Sequence, residues 1–313
     1  MIDISIIIPV FNEEENLKFF VPKLHNVMAK LRKTYECIFI DDGSADGSFS
    51  VLKDYKNSTS NIKIIRLRRN FGQTAALTAG IDYAQGKIII PIDADMQNDP
   101  EDIPLFVKKI EEGYDVVSGW RKNRKDAFFT RVLPSRIASF IISKISRVYL
   151  HDYGCTLKAY KRDIIKNVKL YGEMHRFIPV YASWQGASII EIETKHHPRK
   201  IGKSKYGITR TGKVILDLIV MKFLERYLKN PIYLFGGAGI FSMGLGLLAF
   251  LLMLYYKFFG NKTFIETPLP MATVFFIMTG ILFVLCGLLA EISMRIYYES
   301  QGKPVYYIGE IIE

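Results

Sequence analysis

Short apolar runs alternate with amphipathic stretches over the first 230 residues, and two long, wholly apolar runs follow. Ile4–Val10, Cys37–Ile40, Ile62–Leu67, Lys87–Ile92 and a run ending at Val116–Gly119 read as strands. Glu13–Leu31 reads as a helix with Asn12 as its N-cap, and Gln73–Tyr83 as another. Asp99-Pro100-Glu101-Asp102 reads as a helix start with proline at the first position. Strand–helix alternation predicts an α/β fold, a mostly parallel sheet with helices on both faces. Ligands of such sheets bind beyond the carboxyl ends of the strands. Asn12–Glu15, Asp41–Ser44 and Asp93–Gln97 each follow a predicted strand.

The later pattern changes character. Phe128–Leu150 is rich in Phe, Ile, Val and Leu yet keeps Arg131, Arg136, Lys144 and Arg147, and Lys213–Lys229 is similar. Both read as amphipathic helices on a membrane surface, the alternative being ordinary packing onto the sheet. Pro231–Tyr256 and Thr267–Ala290 contain no charged residue, and each exceeds the roughly 20 residues that cross a bilayer core. Lying back to back, they predict a transmembrane helical hairpin rather than two buried core helices. Ala238, Ser242 and Gly246 are small residues at a spacing that lets helices approach closely. The expected organisation is an α/β domain over 1–210, with an interfacial helix at about 128–150, and a juxtamembrane helix over 211–230. Two spanning helices within 231–290 and a tail over 291–313 follow. Met1–Val10 has no basic n-region, so no signal peptide is expected. Lys213, Lys222, Arg226 and Lys229 precede the first span, which places the α/β domain and both termini in the cytoplasm.

Composition sharpens this picture at two points. The chain has 313 residues, 49% hydrophobic and 23% charged, which excludes wholesale disorder. Cys37, Cys155 and Cys286 are far apart and form no CxxC pair, which favours a reducing compartment. The net charge of +11 points to an anionic partner. It is concentrated in residues 121–136 (Arg121, Lys122, Arg124, Lys125, Arg131 and Arg136 against Asp126) and 199–213 (Arg199, Lys200, Lys203, Lys205, Arg210 and Lys213). Those two segments together equal the net charge of the whole chain.

Two carboxylates and an amide oxygen in Asp93-Ala94-Asp95-Met96-Gln97 suit a hard divalent cation. A turn before Asp99-Pro100 is the bland alternative. Asp41-Asp42-Gly43-Ser44 alone could be only a turn, and Asn12–Glu15 only a capping box. Three acidic strand ends in one parallel sheet are harder to dismiss. The chain has no GxGxxG and no Walker sequence, so a dinucleotide fold or P-loop is not supported.

Ile8-Pro9-Val10-Phe11-Asn12-Glu13-Glu14-Glu15-Asn16, Asp41-Asp42-Gly43-Ser44 and Asp93 to Pro100 together resemble the signature blocks of inverting family 2 glycosyltransferases of the GT-A fold. His151-Asp152-Tyr153-Gly154-Cys155-Thr156-Leu157-Lys158, Met174-His175-Arg176-Phe177-Ile178-Pro179 and Gly202-Lys203-Ser204-Lys205-Tyr206-Gly207 are similar to blocks of the polyprenyl-phosphate glycosyltransferases, among them dolichol-phosphate mannose synthase and the bactoprenol glucosyltransferases. The resemblance implies that Pro9, Phe11, Glu13, Asp41 and Asp42 line the nucleoside pocket, with Asp93, Ala94 and Asp95 along the nucleotide-sugar. Such enzymes often carry Tyr where this chain has Phe11, which keeps a stacking face and loses a hydroxyl. It implies that Asp95 and Gln97 hold Mg²⁺ or Mn²⁺ against the diphosphate. It places Arg121, Arg131, Arg199 and Lys205 at the acceptor phosphate and diphosphate, and Asp93 and Asp152 at the reacting centre.

The residues agree with that reading. A polyprenyl phosphate has an apolar tail and an anionic head, so its recognition requires cations beside apolar interfacial helices. Asp152 invites the role of general base. A phosphate monoester, with its second pKa near about 6, needs little proton removal. Orienting the sugar or a nearby cation is therefore the preferred role for Asp152, ahead of base catalysis or a plain turn residue. The expected reaction is transfer of a sugar, UDP-glucose being the first choice of donor and GDP-mannose the alternative, to undecaprenyl or dolichyl phosphate. A processive polysaccharide synthase is disfavoured because neither Trp120 nor Trp184 follows Gln-x-x-Arg. A silent membrane scaffold that binds anionic lipid would need neither the DxD nor the nucleoside pocket. Nothing in the pattern points to nucleic acid, and a homo-oligomer is compatible with it.

Overall fold

Alternate residues of the central strands feed two hydrophobic layers. On β1 (Ile4–Val10), Ile4, Ile6, Ile8 and Val10 enter one layer and Ile7 the other. On β2 (Tyr35–Asp41), Cys37 and Phe39 are divided in the same way from Ile38 and Ile40. Both sheet faces are therefore covered, as the apolar density of these strands requires. The computed structural model describes residues 2–122, 124, 133–166, 168, 174–198, 232–260, 263–299 and 306–313.

The sheet also contains β3 (Ile62–Leu67), β4 (Ile88–Pro91), β5 (Val116–Trp120), β6 (Lys158–Lys161), β7 (Ile189–Glu193) and β8 (Ile308–Ile312), in the order β7-β5-β6-β4-β1-β2-β3-β8. The pairs β1–β2, β1–β4, β2–β3 and β5–β7 are parallel. Strand β6 runs antiparallel between β4 and β5, and β8 runs antiparallel along β3. Helices α1 (Glu14–Lys30), α2 (Ser48–Ser58) and α4 (Ile103–Glu111) bury Leu17, Phe20, Leu24, Leu52 and Phe106 against one face. Helices α3 (Gln73–Tyr83), α6 (Arg162–Lys166) and α7 (Ile178–Trp184) bury Leu77, Ile81, Ile165 and Ile178 against the other. This is the GT-A-like α/β architecture that the motifs imply.

Three local expectations need correction and one holds. Asn12 does not cap α1; Glu13 occupies that position. Asn12 adopts φ 53, a conformation that Asn tolerates, and its side chain accepts a hydrogen bond from the Ala45 N–H instead. The Asp99-Pro100 start holds: Asp99 caps a 3-10 turn, Pro100–Asp102, that begins with proline and runs into α4 at Ile103. The predicted helix over Phe128–Leu150 is α5 (Leu133–Ser146) within the described residues. It stops where Arg147 takes φ 59 and the Ser143 hydroxyl accepts from the Leu150 N–H. The tail supplies β8, anchored by Tyr306, whose hydroxyl donates to Asp82 at 2.8 Å. The predicted juxtamembrane helix over 211–230 lies outside the described residues.

The second compact unit holds α8 (Ile232–Phe258) and α9 (Leu269–Glu299). Phe235–Phe259 and Leu269–Ala290 are long and apolar enough to cross a membrane, with only 22% and 17% of their most apolar windows buried. A helix in the core of a soluble domain would bury far more. The two helices touch through Gly239, Ser242, Gly246 and Gly280. A Cβ on Gly280 would lie 2.7 Å from the Gly239 carbonyl oxygen, and the Ser242 hydroxyl donates to the Phe276 carbonyl at 2.8 Å. Ala238, expected on that seam, is exposed; its neighbour Gly239 takes the place.

Candidate active site

The ends of β1 and β2 are laced together. The Asn12 N–H donates to the Ser44 hydroxyl (3.0 Å), Glu13 N–H to the Ser48 hydroxyl (2.9 Å) and Gly47 N–H to the Glu14 carboxylate (3.0 Å). Gly43 has φ 70, and a Cβ there would lie 2.6 Å from the Arg69 main chain, so only glycine permits this approach. Asp42 accepts from Phe71 N–H at 2.7 Å and Gly72 N–H at 2.9 Å, and so ties the loop after β3 to the end of β2. Burial raises the Asp42 pKa, the two N–H groups oppose that, and neighbouring Asp41 adds to it. Asp41 is fully buried, accepts from Ser44 N–H and lies 3.2 Å from Arg66 Nε. Pro9, Phe11 and Glu13 are partly exposed along the same rim.

Beyond β4, Asp93 accepts from Gln73 Nε2 at 2.9 Å and from the Thr156 hydroxyl at 2.6 Å. Asp95 accepts from Gln97 N–H at 3.1 Å, with Met96 between them at φ 61. The Ala94 side chain packs in the core, so only its backbone faces the site. Asp99 turns away to Lys23 (2.8 Å) and His197 (2.8 Å). Against its burial, these partners and the Glu101 N–H hold its carboxyl below the usual range. No group of three His, Cys, Asp or Glu side chains suited to a metal occurs among the described residues. Asp95 and Gln97 nonetheless offer hard oxygens, and Mg²⁺ takes one or two carboxylates and fills the rest from water and phosphate.

At the end of β5, Arg121 grips Asp152 with two parallel bonds, Nε to Oδ2 at 2.7 Å and Nη2 to Oδ1 at 2.9 Å. Burial alone would raise the Asp152 carboxyl, but the Arg121 guanidinium, aided by Arg124 and Lys158, holds it down at about 2. Lys158 is buried; burial lowers its pKa, and its Nζ donates to the Tyr153 carbonyl at 3.2 Å and to the Cys155 carbonyl. Arg131, Arg199 and Lys205, expected at the acceptor phosphate, lie outside the described residues.

The structure thus brings Asp93 and the Arg121–Asp152 pair to one segment. Within Asp152–Thr156, Asp152 binds Arg121 and Thr156 binds Asp93. Gln73, Thr156, Lys158 and Glu191, whose carboxylate accepts from the His151 and Asp152 N–H groups, have no role of their own in the sequence reading. Thr156 and Lys158 fall inside a recognisable block, but Gln73 and Glu191 carry no local signal, because only tertiary contact gives them partners.

A sequence model of Glycosyl transferase family 2 matches residues 5–169. The chain is 41% identical over its whole length to "Dodecaprenyl-phosphate galacturonate synthase" of Rhizobium johnstonii, covering 94% of that protein. It is 35% identical over 99% of its length to "Undecaprenyl-phosphate 4-deoxy-4-formamido-L-arabinose transferase" of Shewanella sediminis, covering 92% of that protein. In fold it is similar to the crystal structure of glucosyl-3-phosphoglycerate synthase from Mycobacterium tuberculosis, with TM-score 0.55 and 16% identity over 72% of this chain and 79% of that one. With the family match spanning more than half of the chain and relatives aligned end to end, the protein belongs to glycosyl transferase family 2, as a glycosyltransferase of the polyprenyl-phosphate type.

Proposed function

We propose that this protein transfers a sugar from a uridine-linked donor to a polyprenyl phosphate at a membrane surface, and that the sugar is a uronic acid or a modified arabinose. The observation that carries the reading is the Asp152–Thr156 segment, which joins a carboxylate-rich end to a cation-rich end. A donor sugar held near Asp93 and a phosphate attracted by Arg121 would meet there. An acceptor oxygen then attacks the anomeric carbon, the nucleoside diphosphate leaves from the opposite face, and the centre inverts. Asp95 and Gln97 would hold a divalent cation, which neutralises charge on the leaving diphosphate. Asp152 orients Arg121. A carboxyl held at about 2 is a weak base, and a dianionic phosphate needs none.

The donor class follows the names of the two full-length relatives, and it replaces the UDP-glucose expected from the sequence. Membrane attachment is supported by the two long apolar helices, and chain connectivity bears on the number of crossings. Among the described residues the α/β unit holds both those up to 198 and β8, so the chain leaves it before α8 and re-enters it for β8. Any crossings in between must be even in number, which fits a two-helix hairpin. The basic residues before α8 favour a cytoplasmic side for the α/β unit and both termini.

The test is a panel of radiolabelled nucleotide-sugars with undecaprenyl phosphate, followed by lipid extraction. UDP-galacturonic acid and UDP-4-deoxy-4-formamido-L-arabinose should label the lipid above UDP-glucose and GDP-mannose. Labelling by UDP-glucose alone would restore the simpler donor, and no labelled lipid with any donor would sink the transferase reading.

A further inference from the structure

Glu191 lies on β7, the edge strand beside β5, where an acid would ordinarily point to water. Its side chain is instead only 11% exposed and engages a single dipeptide. Oε1 accepts from the N–H groups of His151 (2.9 Å) and Asp152 (3.1 Å). Oε2 accepts from His151 N–H (3.1 Å) and lies 2.7 Å from His151 Nδ1. The His151 ring stacks on Trp120, with centroids 4.2 Å apart and planes at 17°. Trp120 immediately precedes Arg121, and the parallel register sets Ser118 of β5 opposite Glu191. Lys158 takes the Tyr153 and Cys155 carbonyls of the same turn. The turn bearing Asp152 is therefore gripped by an anion through its N–H groups and by a cation through its carbonyls.

We propose that Glu191 is a positioning residue for the transfer. It fixes the His151–Asp152 main chain so that the Asp152 carboxylate presents the Arg121 guanidinium to the acceptor phosphate. The inference rests on the polyprenyl-phosphate reading and adds to it a residue three contacts removed from the chemistry. A planar fork such as Arg121 rewards exact placement, since a displacement of about 1 Å at a reacting group can cost roughly 100-fold in rate. Ala cannot reproduce the arrangement, and Gln reproduces only the two bonds that a single oxygen accepts. An amide nitrogen cannot accept from an N–H, and alanine leaves two main-chain donors without a partner.

The experiment uses the full-length protein in detergent with Glu191→Ala, Glu191→Gln and, as control, Glu193→Gln. Glu193 is an exposed acid on the same strand that pairs with Lys122. Glu191→Ala should lower kcat on the order of 100-fold, and Glu191→Gln roughly 10-fold, with the donor KM little changed and the melting temperature of Glu191→Ala lower by only about a few degrees. Glu193→Gln should behave as wild type. Amide hydrogen exchange should accelerate at 151–155 in Glu191→Ala and stay unchanged at 41–48 and 93–97. Wild-type kcat in Glu191→Ala would overturn the proposal. So would a parallel loss of kcat, donor affinity and melting temperature, which would mark Glu191 as general support of the fold. If the wild-type protein labels no lipid with any donor, the functional reading fails instead. The exchange at 151–155 then decides by itself whether Glu191 holds the turn.

Discussion

The two ends of the site are both built on aspartates and treat them in opposite ways. Along β1, β2 and β4, Asp42, Asp93 and Asp95 take hydrogen bonds from neutral groups, the N–H of Phe71, Gly72 and Gln97, the Gln73 amide and the Thr156 hydroxyl. Neutral donors such as these fix a carboxylate without cancelling its charge, although Asp41 beside them lies 3.2 Å from Arg66 Nε, and the oxygens held this way suit hydroxyls, base N–H groups and a cation. At the end of β5, Asp152 lies under Arg121, with Arg124 and Lys158 close by. Even with the Glu191 carboxylate behind the turn, these three cations outnumber the two carboxylates, and that end favours an anion. The difference teaches that an aspartate's role is set by what holds it. One residue type builds a cation-seeking rim at one end and a mount for arginine at the other.

The sharpest way to break this comparison is at Asp95. Asp95→Asn keeps the shape and removes the charge that a hard cation needs. Turnover should fall roughly 100- to 1,000-fold, the scale seen when one group that stabilises developing charge is lost. EDTA should abolish turnover, and Mn²⁺ or Mg²⁺ should restore it. Near-normal rates in EDTA would show that the negative end has another purpose.

A second, smaller effect is expected at the cationic end. Arg121→Ala leaves a buried carboxylate short of its main partner, at a cost of about 3–5 kcal/mol when such a pair is broken. The cleaner change is therefore Asp152→Asn, which should lower kcat on the order of 10-fold to 100-fold by loosening the Arg121 fork. The pH dependence follows from the sign of the shift. The folded pKa, about 2, is below the ordinary 3.8, so the stability that the pair contributes is fully present above about pH 4 and is lost as pH falls toward 2. Asp152 is thus ionised throughout the neutral range, and the Asp152→Asn deficit should be the same at pH 7 and at pH 9. Recovery of wild-type rate at the higher pH would restore the general-base role.

How much of this was legible beforehand depends on the range of the interaction. The apolar runs Ile4–Val10 and Ile62–Leu67 and the helix Gln73–Tyr83 have their predicted bounds, because strand burial and helical spacing are local. The acidic strand ends were visible for the same reason. Strand β8 was not, since Ile308–Ile312 becomes a strand only by pairing with β3, more than 240 residues away in sequence. The Asn12 reversal has a similar origin: a capping pattern was outcompeted by a hydrogen bond to Ala45. Glu191 is the clearest case. Among the residues Ile-Ile-Glu-Ile-Glu it looks no different from Glu193, yet one holds the Asp152 turn and the other pairs at the surface with Lys122.

The smallest expected effect tests where the cationic end meets its acceptor. Helix α5 buries Ile142 together with serines and leaves large apolar side chains outside. Ser139, Ser143 and Ser146 are buried, the last two bonding the turn that follows, while Ile137 and Phe140 are 51% and 67% exposed beside exposed Arg136 and Lys144. Water on one side would not favour this arrangement, but a lipid surface would, with rings in the acyl boundary and cations at the headgroups. Phe140→Ser removes apolar area from that face and touches nothing in the core. It should raise the KM for a long-chain polyprenyl phosphate a few-fold, on the order of 1 kcal/mol, and leave the donor KM unchanged. A short, water-soluble acceptor phosphate should show no difference between the variant and wild type. If the short acceptor is impaired equally, Phe140 supports the protein rather than the lipid, and the outward face of α5 has been misread.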